Sequence, residues 1–194
     1  METISKPINA LRRRIFWLAL AVLIIALDQV SKWMITEGLY RPMIGEPSLD
    51  LLAWYQNTPE LIPFLRLEIT SYFNLVMVWN TGVSFGMLGD HGANAPMILI
   101  ALASAITLIF LIWMMRINDH PHGVCFALII GGALGNIIDR ARFGAVIDFL
   151  DFHAYGYHWP AFNIADMCVV VGVILLMAVS IGFDLVTKHR YPEN

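Results

Sequence analysis

The chain has 194 residues and a formal net charge of −3, and 58% of its residues are hydrophobic while 14% are charged. Soluble proteins carry about 25% charged residues, so this composition indicates a membrane protein. A weak negative charge without a long basic block argues against nucleic acid as a partner, and two cysteines within apolar runs, Cys125 and Cys168, indicate no disulfide framework.

Four apolar runs approach the length of about 20 residues that crosses the hydrocarbon of a bilayer. They are residues 15–35, 96–115, 122–138 and 162–187. We therefore predict an all-α membrane protein with four transmembrane helices, forming one integral membrane domain over residues 1–194. The basic residues before the first run are also typical of a signal peptide, but no small-residue cleavage site follows and three further spans do.

The long segment between the first two spans, residues 39–95, is not predicted to be disordered. Residues 69–78 are rich in β-branched and aromatic side chains and predict a strand, and WNTGVSFG (79–86) predicts a turn and another short strand. Residues 39–68 mix prolines with apolar residues, which predicts loops and a short helix on the membrane surface.

The distribution of lysine and arginine favours a topology with both termini in the cytoplasm. Seven of the 12 basic residues then lie on the cytoplasmic side, which includes the short loop 116–123, and five lie outside. This topology predicts that one set of polar residues converges at the outer membrane face: Asp28, Asn80, Asp139, Asp148 and Asp166.

Two pairs of residues in the spans share a helix face. Asp28 and Lys32 are four residues apart, and they form either a neutralising ion pair near the headgroups or a fixed charge beside a functional site. Gly131 and Gly135 form a pair of small residues at the same spacing, which predicts close helix packing.

The end of the third span carries further polar groups. Asn136 and Arg140 are also four residues apart and are predicted to point the same way. Asp139 is predicted to be structural, as part of a hydrogen-bond cluster that anchors this end of the span.

Asp148 and Asp166 are the candidates for chemistry. Asp148 lies in the alternating stretch AVIDFLDF, whose apolar neighbours would desolvate it, and the alternation predicts that Asp151 faces away from it. Asp166 follows Asn163 by three residues, as in a capping box, so it is either a capping residue or the partner of a second carboxylate.

Asn80 leaves two interpretations open as well. It is either a turn residue before Gly82 or a member of the same polar site.

The sequence lacks the His-Glu-x-x-His motif of zinc peptidases, the Gly-x-Ser-x-Gly elbow of serine hydrolases and a glycine-rich phosphate loop. We therefore predict no metal and no other cofactor. Two carboxylates in a poorly hydrated place share one proton, and such a pair can activate water as aspartic proteases do. A small ion- or proton-coupled transporter, or a structural membrane subunit, is the alternative.

Four blocks of the sequence resemble, in order and spacing, the signature of the bacterial lipoprotein signal peptidases (signal peptidase II): DQVSK (28–32), NTGVSFG (80–86), GGALGNIIDRARFGAVIDF (131–149) and FNIAD (162–166). The resemblance covers roughly residues 15–187. It implies four transmembrane helices, a small outer β-cradle and a surface helix. It also implies an endopeptidase that cleaves prolipoproteins just before a cysteine carrying diacylglycerol.

The same resemblance implies residue roles. Asp148 and Asp166 would be catalytic, and seven residues would bind substrate or order the site: Asp28, Lys32, Asn80, Gly82, Asn136, Arg140 and Asn163. The implied partners are prolipoproteins with a diacylglyceryl-cysteine and membrane lipids, at a site near the outer face of the bacterial inner membrane. The chain departs from the family pattern in a long segment 39–68 and in Ser84, where alanine is common.

Overall fold

The computed structural model describes residues 5–82 and 95–190, with side chains for 10–82 and 96–182. The long helices are α1 (Ser5–Trp33), α4 (Ala95–Arg116), α5 (His120–Phe143) and α6 (Ile164–Arg190), and the short ones are α2 (Arg41–Met43) and α3 (Leu51–Gln56). The strands are β1 (Arg66–Thr70), β2 (Phe73–Asn80), β3 (Val146–Ala154) and β4 (Tyr157–His158).

The described residues include four helical segments that are long and apolar enough to cross a membrane: Ala10–Met43, Pro96–Arg116, His120–Phe143 and Ile164–Gly182. The four strands form one small sheet in the order β1-β2-β3-β4, with antiparallel neighbours. The predicted fold class, a helical membrane protein with four spanning helices and a small sheet, is confirmed.

The first membrane helix is longer than the apolar run that predicts it. α1 continues through a π-helical segment, Met34–Tyr40, into α2. Its polar residues do not end the helix because their charges are paired inside the protein: Glu37, for example, accepts from Arg41 Nε at 2.9 Å, and both side chains are buried.

α5 packs against α1, α4 and α6, and glycines permit the close approach. A Cβ atom on Gly132 would lie 2.3 Å from the carbonyl oxygen of Ala165 on α6. On Gly131 it would lie 2.9 Å from the carbonyl oxygen of Ala21 on α1, and on Gly135 it would lie 2.6 Å from Asp28 Oδ2. Gly131 and Gly135 therefore both face α1, and the neighbouring Gly132 faces α6.

The sheet begins as a hairpin, so residues 69–78 are largely strand, as predicted, but they belong to two strands and not to one. The chain turns at residues 71–72, between β1 and β2, where the backbone N–H of Tyr72 donates to Thr70 Oγ1 at 3.3 Å. Of the two turn residues only Ser71 is a common turn former, and Tyr72 and Phe73 continue the aromatic character of the segment, so composition does not reveal the turn. The other predicted strand, after WNTG, lies in residues 83–94, outside the described part of the chain.

β3 contains a bulge that changes which side chains share a face. The N–H groups of Phe149 and Leu150 both donate to the carbonyl oxygen of Phe162, at 3.1 and 2.9 Å, which is the bulge in β3. The register against β2 is irregular at the same place, since three steps from Leu75 to Val78 match two steps from Leu150 to Asp148. A bulge of this kind re-aims the residues that follow it.

As a result Asp148 and Asp151, which pair with Val78 and Asn74, line adjoining cavities on one face. The expectation that they face opposite ways is wrong.

Two hydrophobic clusters hold these parts together. One joins the helices through Trp17, Met114 and Phe126. The other lies between the sheet and the short helix α3, whose Trp54 is fully buried against the side chains of β2 and β3. This second cluster fixes the strand that carries Asp148.

Candidate active site

Asp148 lies on β3 and is only 1% exposed. Each of its carboxylate oxygens accepts a hydrogen bond from an amide side chain: Asn80 Nδ2 donates to Oδ2 at 2.9 Å, and Asn163 Nδ2 donates to Oδ1 at 2.8 Å. The two amides hold the carboxylate in one orientation.

Asp166 lies in the first turn of α6 and is half-buried. Its backbone N–H donates to Asn163 Oδ1 at 2.9 Å, so Asn163 caps the helix. Its carboxylate accepts from Asn136 Nδ2 on α5 at 2.7 Å. Asp166 is therefore both a first-turn residue of a capped helix and a carboxylate held by an amide from a second helix.

The two carboxylates belong to one hydrogen-bonded cluster. Asn163 Nδ2 also lies 3.2 Å from Asn136 Oδ1, so the two asparagines join the group around Asp148 to the group around Asp166. The structure thus brings together five residues that the sequence analysis had singled out: Asn80, Asn136, Asp148, Asn163 and Asp166.

The pKa of Asp148 is raised to about 7. Burial is the main cause, because it penalises the charged form, and the negative charge of Asp166 adds to it. Hydrogen bonds from Asn80 and Asn163 offset only part of this rise. A carboxyl group with this pKa holds its proton at mildly acid pH.

Asp28, Lys32 and Asp139 form a fully buried ionic cluster behind the carboxylate pair. Lys32 Nζ lies 2.8 Å from Asp28 Oδ2 and 2.7 Å from Asp139 Oδ2, and the three side chains are 0% exposed. The ion pair with Asp28 follows the predicted helix spacing, whereas the second acid, from α5, is not evident from local spacing.

The buried acids hold the backbone on either side of the carboxylate pair. Asp28 Oδ1 accepts from the N–H of Ala165, next to Asp166, at 3.0 Å. Asp139 Oδ2 accepts from the N–H of Ile147, next to Asp148, at 3.1 Å. Lys32 Nζ also lies 3.4 Å from Asn136 Oδ1. Charged side chains of the membrane-spanning helices therefore fix the position of the backbone next to Asp148 and Asp166.

Gln29 is a member of this cluster that sequence reasoning missed. Its Nε2 lies within hydrogen-bonding distance of Asp28 Oδ2 at 3.2 Å and of Asp139 Oδ1 at 2.8 Å. Its Oε1 accepts from the hydroxyl of Tyr55 on α3 at 2.9 Å. The signal available in the sequence was an amide side chain inside an apolar span, where polar groups have partners. In the structure Gln29 is 2% exposed.

Besides the Tyr55 hydroxyl, a second set of contacts attaches α3 to the helix bundle. The guanidinium of Arg142, on α5, stacks on the rings of Trp54 and Tyr55 at 4.0 and 4.5 Å from their centres. It also donates to the carbonyl oxygen of Trp54. α3 is thus tied to α5 by Arg142 and to α1 by Gln29.

An open cavity of about 300 Å³ lies in front of Asp148. Its wall includes Val78, Asn80, Gly82 and Ala161. Asn80 Oδ1 accepts from the N–H of Gly82 at 2.8 Å, and the φ of Gly82 is +75°, a conformation that favours glycine. Asn80 is therefore a turn residue and a partner of Asp148 at once.

Arg140 lies at the edge of this cavity, apart from the amide cluster. A Cβ atom on Gly82 would lie 3.7 Å from one of its Nη atoms. Within the described part of the chain its Nε has no hydrogen-bond partner. Ser84 and the rest of the block that follows Gly82 lie outside the described residues.

Across residues 5–82 and 95–190, no group of three or more His, Cys, Asp and Glu side chains is placed to hold a metal ion. The carboxylates of the site are held by amide side chains, backbone N–H groups and Lys32.

Comparisons with known proteins identify the family of the chain. The family model of signal peptidase (SPase) II matches residues 20–182. The chain is 40% identical over 176 residues to the lipoprotein signal peptidase of Francisella tularensis, covering 89% of this chain and 96% of that protein. It is 39% identical over 163 residues to the lipoprotein signal peptidase of Ralstonia nicotianae, covering 83% and 81% of the two chains.

A solved structure of a bacterial membrane enzyme superposes with a TM-score of 0.63 at 25% identity, covering 84% of this chain and 91% of that one. The fold, the motifs and the relatives give one result: the chain belongs to the signal peptidase II family of membrane aspartic peptidases.

Proposed function

We propose that this protein removes signal peptides from diacylglyceryl-modified prolipoproteins, cutting just before the lipid-bearing cysteine. The relatives named lipoprotein signal peptidase support this substrate class. The observation that carries the mechanism is the pairing of Asp148 and Asp166, through Asn136 and Asn163, beside an open cavity.

The mechanism uses the two carboxylates as one unit that holds a single proton. Asp166 takes a proton from a water molecule while the water oxygen bonds to the carbonyl carbon of the scissile peptide. Asp148, whose raised pKa makes it the protonated partner, gives its proton to the leaving nitrogen as the C–N bond breaks. The proton on Asp166 then returns to Asp148, so that the pair is ready for another cycle.

The remaining site residues order the pair and receive the substrate. Asn80, Asn136 and Asn163 orient the carboxylates, while Asp28, Lys32 and Asp139 fix the backbone that carries them. Arg140 and Gly82, at the edge of the cavity, would meet the substrate backbone. The acyl chains of the substrate stay in the lipid phase beside the helices, which makes membrane lipids part of its environment.

The protein would act as a single domain of four spans in the bacterial inner membrane. Both termini would face the cytoplasm and the site would lie near the outer face. The excess of basic residues on the side of the termini supports this orientation.

The test replaces each aspartate by asparagine, which keeps the size of the side chain but cannot carry a proton through the cycle. General acid–base help is worth about 10²–10⁴-fold, and members of one unit are not additive. We expect Asp148→Asn and Asp166→Asn each to nearly abolish cleavage of a diacylglyceryl-modified prolipoprotein, and the double variant to be little worse. Substrate binding, measured on the same samples, should persist.

Asp119→Asn is the matched control. Asp119 caps α5 at the opposite end of the helix bundle, where it accepts from the N–H of His122, and asparagine caps a helix about as well. This variant should keep full activity. Substantial turnover by folded Asp148→Asn or Asp166→Asn protein would refute the mechanism. If Asp166 only capped α6, its replacement by asparagine would leave cleavage largely intact.

A further inference from the structure

A second cavity adjoins the one in front of Asp148 and has no role in the mechanism above. Its volume is about 430 Å³, within the roughly 300–1,000 Å³ of ligand pockets. Both cavities share three wall residues, Val78, Pro160 and Ala161, so they form a continuous surface. We name this second cavity the sheet groove.

The sheet groove has apolar walls, a fixed carboxylate and one arginine, Arg66, whose side chain is 47% exposed. Phe64 and Trp159, which are 67% and 62% exposed, line it. Asp151 lines it too and is only 5% exposed. Its carboxylate is held by Asn74 Nδ2 at 2.8 Å and by the ring of His158 at 2.9 Å.

The bulge in β3 creates this arrangement. In a regular strand, residues three apart face opposite sides, so Asp151 would point away from the face that carries Asp148. The bulge at Phe149 and Leu150 brings both acids to one face. Although burial raises the pKa of Asp151, hydrogen bonds from Asn74 and His158 hold it below its usual value. This carboxylate is therefore ionised at neutral pH, and it lines the groove together with the guanidinium of Arg66.

The position of the groove indicates what it receives. It is built from the sheet and its connecting loops, whereas the spanning segments are the four long helices. A signal peptide is an apolar stretch, and together with the acyl chains it favours the hydrocarbon phase. The part of the substrate that leaves the membrane is the chain that follows the lipid-bearing cysteine.

We propose that the sheet groove binds the peptide segment immediately after the lipid-bearing cysteine and so contributes to substrate selection. This inference rests on the proposed function. The aromatic walls would pack against the first side chains of the mature protein, and the carboxylate of Asp151 would favour a cationic or hydrogen-bond-donating group there.

The experiment compares two diacylglyceryl-modified substrates that differ only in length. One ends a single residue after the modified cysteine, and the other continues for about six residues, which span roughly 20 Å when extended. The variant Phe64→Ala/Trp159→Ala removes both exposed walls. The control Tyr72→Ala/Tyr157→Ala removes two aromatic rings of similar exposure, 67% and 70%, that do not line the groove.

We expect wild-type protein to cleave the long substrate with the higher kcat/KM. The groove variant should lose about tenfold on the long substrate, as a loss of about 1.4 kcal/mol in binding would produce, and stay within about twofold on the short one. The control variant should match wild type on both. Asp151→Asn should shift selectivity directly after the cysteine away from lysine and towards glutamate, because it removes the carboxylate and leaves Arg66.

Equal cleavage of both substrates by wild type would overturn the inference and leave the proposed function intact. An equal loss on both substrates by the groove variant would also overturn it, because the walls would then support only the reaction centre. Failure of wild type to cleave either substrate would instead refute the proposed function.

Discussion

Asp148 is the residue whose protonation should govern the pH dependence of cleavage. Burial and the charge of Asp166 raise its pKa to about 7, so it is protonated below this pH and ionised above it. Once both carboxylates are ionised, no proton is available for the leaving nitrogen. We therefore expect kcat/KM to fall as the pH rises through about 7, with this pKa as the inflection of the alkaline limb.

The measurement is kcat/KM from about pH 5.5 to about pH 9, on a substrate with no group that titrates in this range. Asp119→Asn serves again as the control and should give the wild-type profile. A profile that stays flat across neutral pH would show that Asp148 does not hold the proton used in the reaction.

Asp139 is expected to matter for stability rather than for chemistry. Its Oδ1 accepts from Gln29, and its Oδ2 accepts from Lys32 and from the N–H of Ile147. In Asp139→Asn one oxygen becomes an NH₂ group, which cannot accept a hydrogen bond. It would face either Gln29 or the pair Lys32 and Ile147 N–H, all of which are donors. Breaking a buried ion pair costs about 3–5 kcal/mol, and the remaining partner of Lys32, Asp28, should keep the loss near the lower end.

Thermal unfolding of the purified Asp139→Asn protein, set beside turnover per folded molecule, checks this prediction. The unfolding temperature should drop clearly, while turnover should stay within about an order of magnitude of wild type. Asp148→Asn should instead lose nearly all turnover while its unfolding temperature changes little. Complete loss of cleavage in an Asp139→Asn protein of normal stability would contradict this prediction and indicate that Asp139 takes part in catalysis.

At the residue scale, the sequence motifs found the amides and acids that meet around Asp148 and Asp166, because these residues lie in recognisable blocks. They did not reveal Gln29 or Tyr55 as partners. Gln29 lies in the DQVSK block, but its contacts come from Asp139, 110 positions away in sequence, and from Tyr55 on α3. Such contacts depend on how helices dock, which local spacing does not encode.

At the scale of elements, the contact between α5 and α6 depends on Gly132. A methyl group there would lie 2.3 Å from the carbonyl oxygen of Ala165 and 2.8 Å from Val169 Cγ2. The carbonyl group of Ala165 belongs to the backbone and cannot rotate away as a flexible side chain can, so helix α6 would have to shift away from α5. We expect Gly132→Ala to destabilise the protein by about 1–3 kcal/mol and to displace Asp166 from Asn136, lowering cleavage as well.

Gly182→Ala is the matched control, since Gly182 is also helical and, among the residues that the structure describes, a methyl group there meets nothing within 4 Å. Alanine favours a helix over glycine by up to about 1 kcal/mol, so this variant should melt at or above the wild-type temperature. The measurement is the melting temperature of the two variants in the same detergent, and Gly132→Ala should melt well below Gly182→Ala. Equal melting temperatures would contradict the role given to Gly132.

Helices were easier to predict than strands for a physical reason. An apolar run of membrane length has few alternatives to a spanning helix, so all four could be placed from composition. The hairpin turn at residues 71–72 and the bulge at Phe149–Leu150 carry no glycine, proline or asparagine signal. They are selected by the hydrophobic cluster beneath the sheet and by the carbonyl of Phe162, which the sequence alone does not place.

At the scale of the whole molecule, the orientation in the membrane determines whether the site can meet its substrate. Asp148 and Asp166 lie at the end of the bundle opposite the loop that joins α4 to α5. If both termini lie in the cytoplasm, this end faces outward, the side on which the proposed substrate, a translocated prolipoprotein, would present its cysteine. The majority of the basic residues then stays inside, as the positive-inside rule requires.

Cysteine labelling tests this orientation directly. In a background with Cys125→Ala and Cys168→Ala, single cysteines at the exposed residues Glu60 and Asn118 report the two sides of the membrane. An impermeant maleimide, applied to cells with a permeabilised outer membrane, should label position 60 at once and position 118 only after the inner membrane is lysed. The reverse order would place the carboxylate pair in the cytoplasm, where a substrate that is lipidated after translocation could not reach it, and would contradict the proposed function together with the topology.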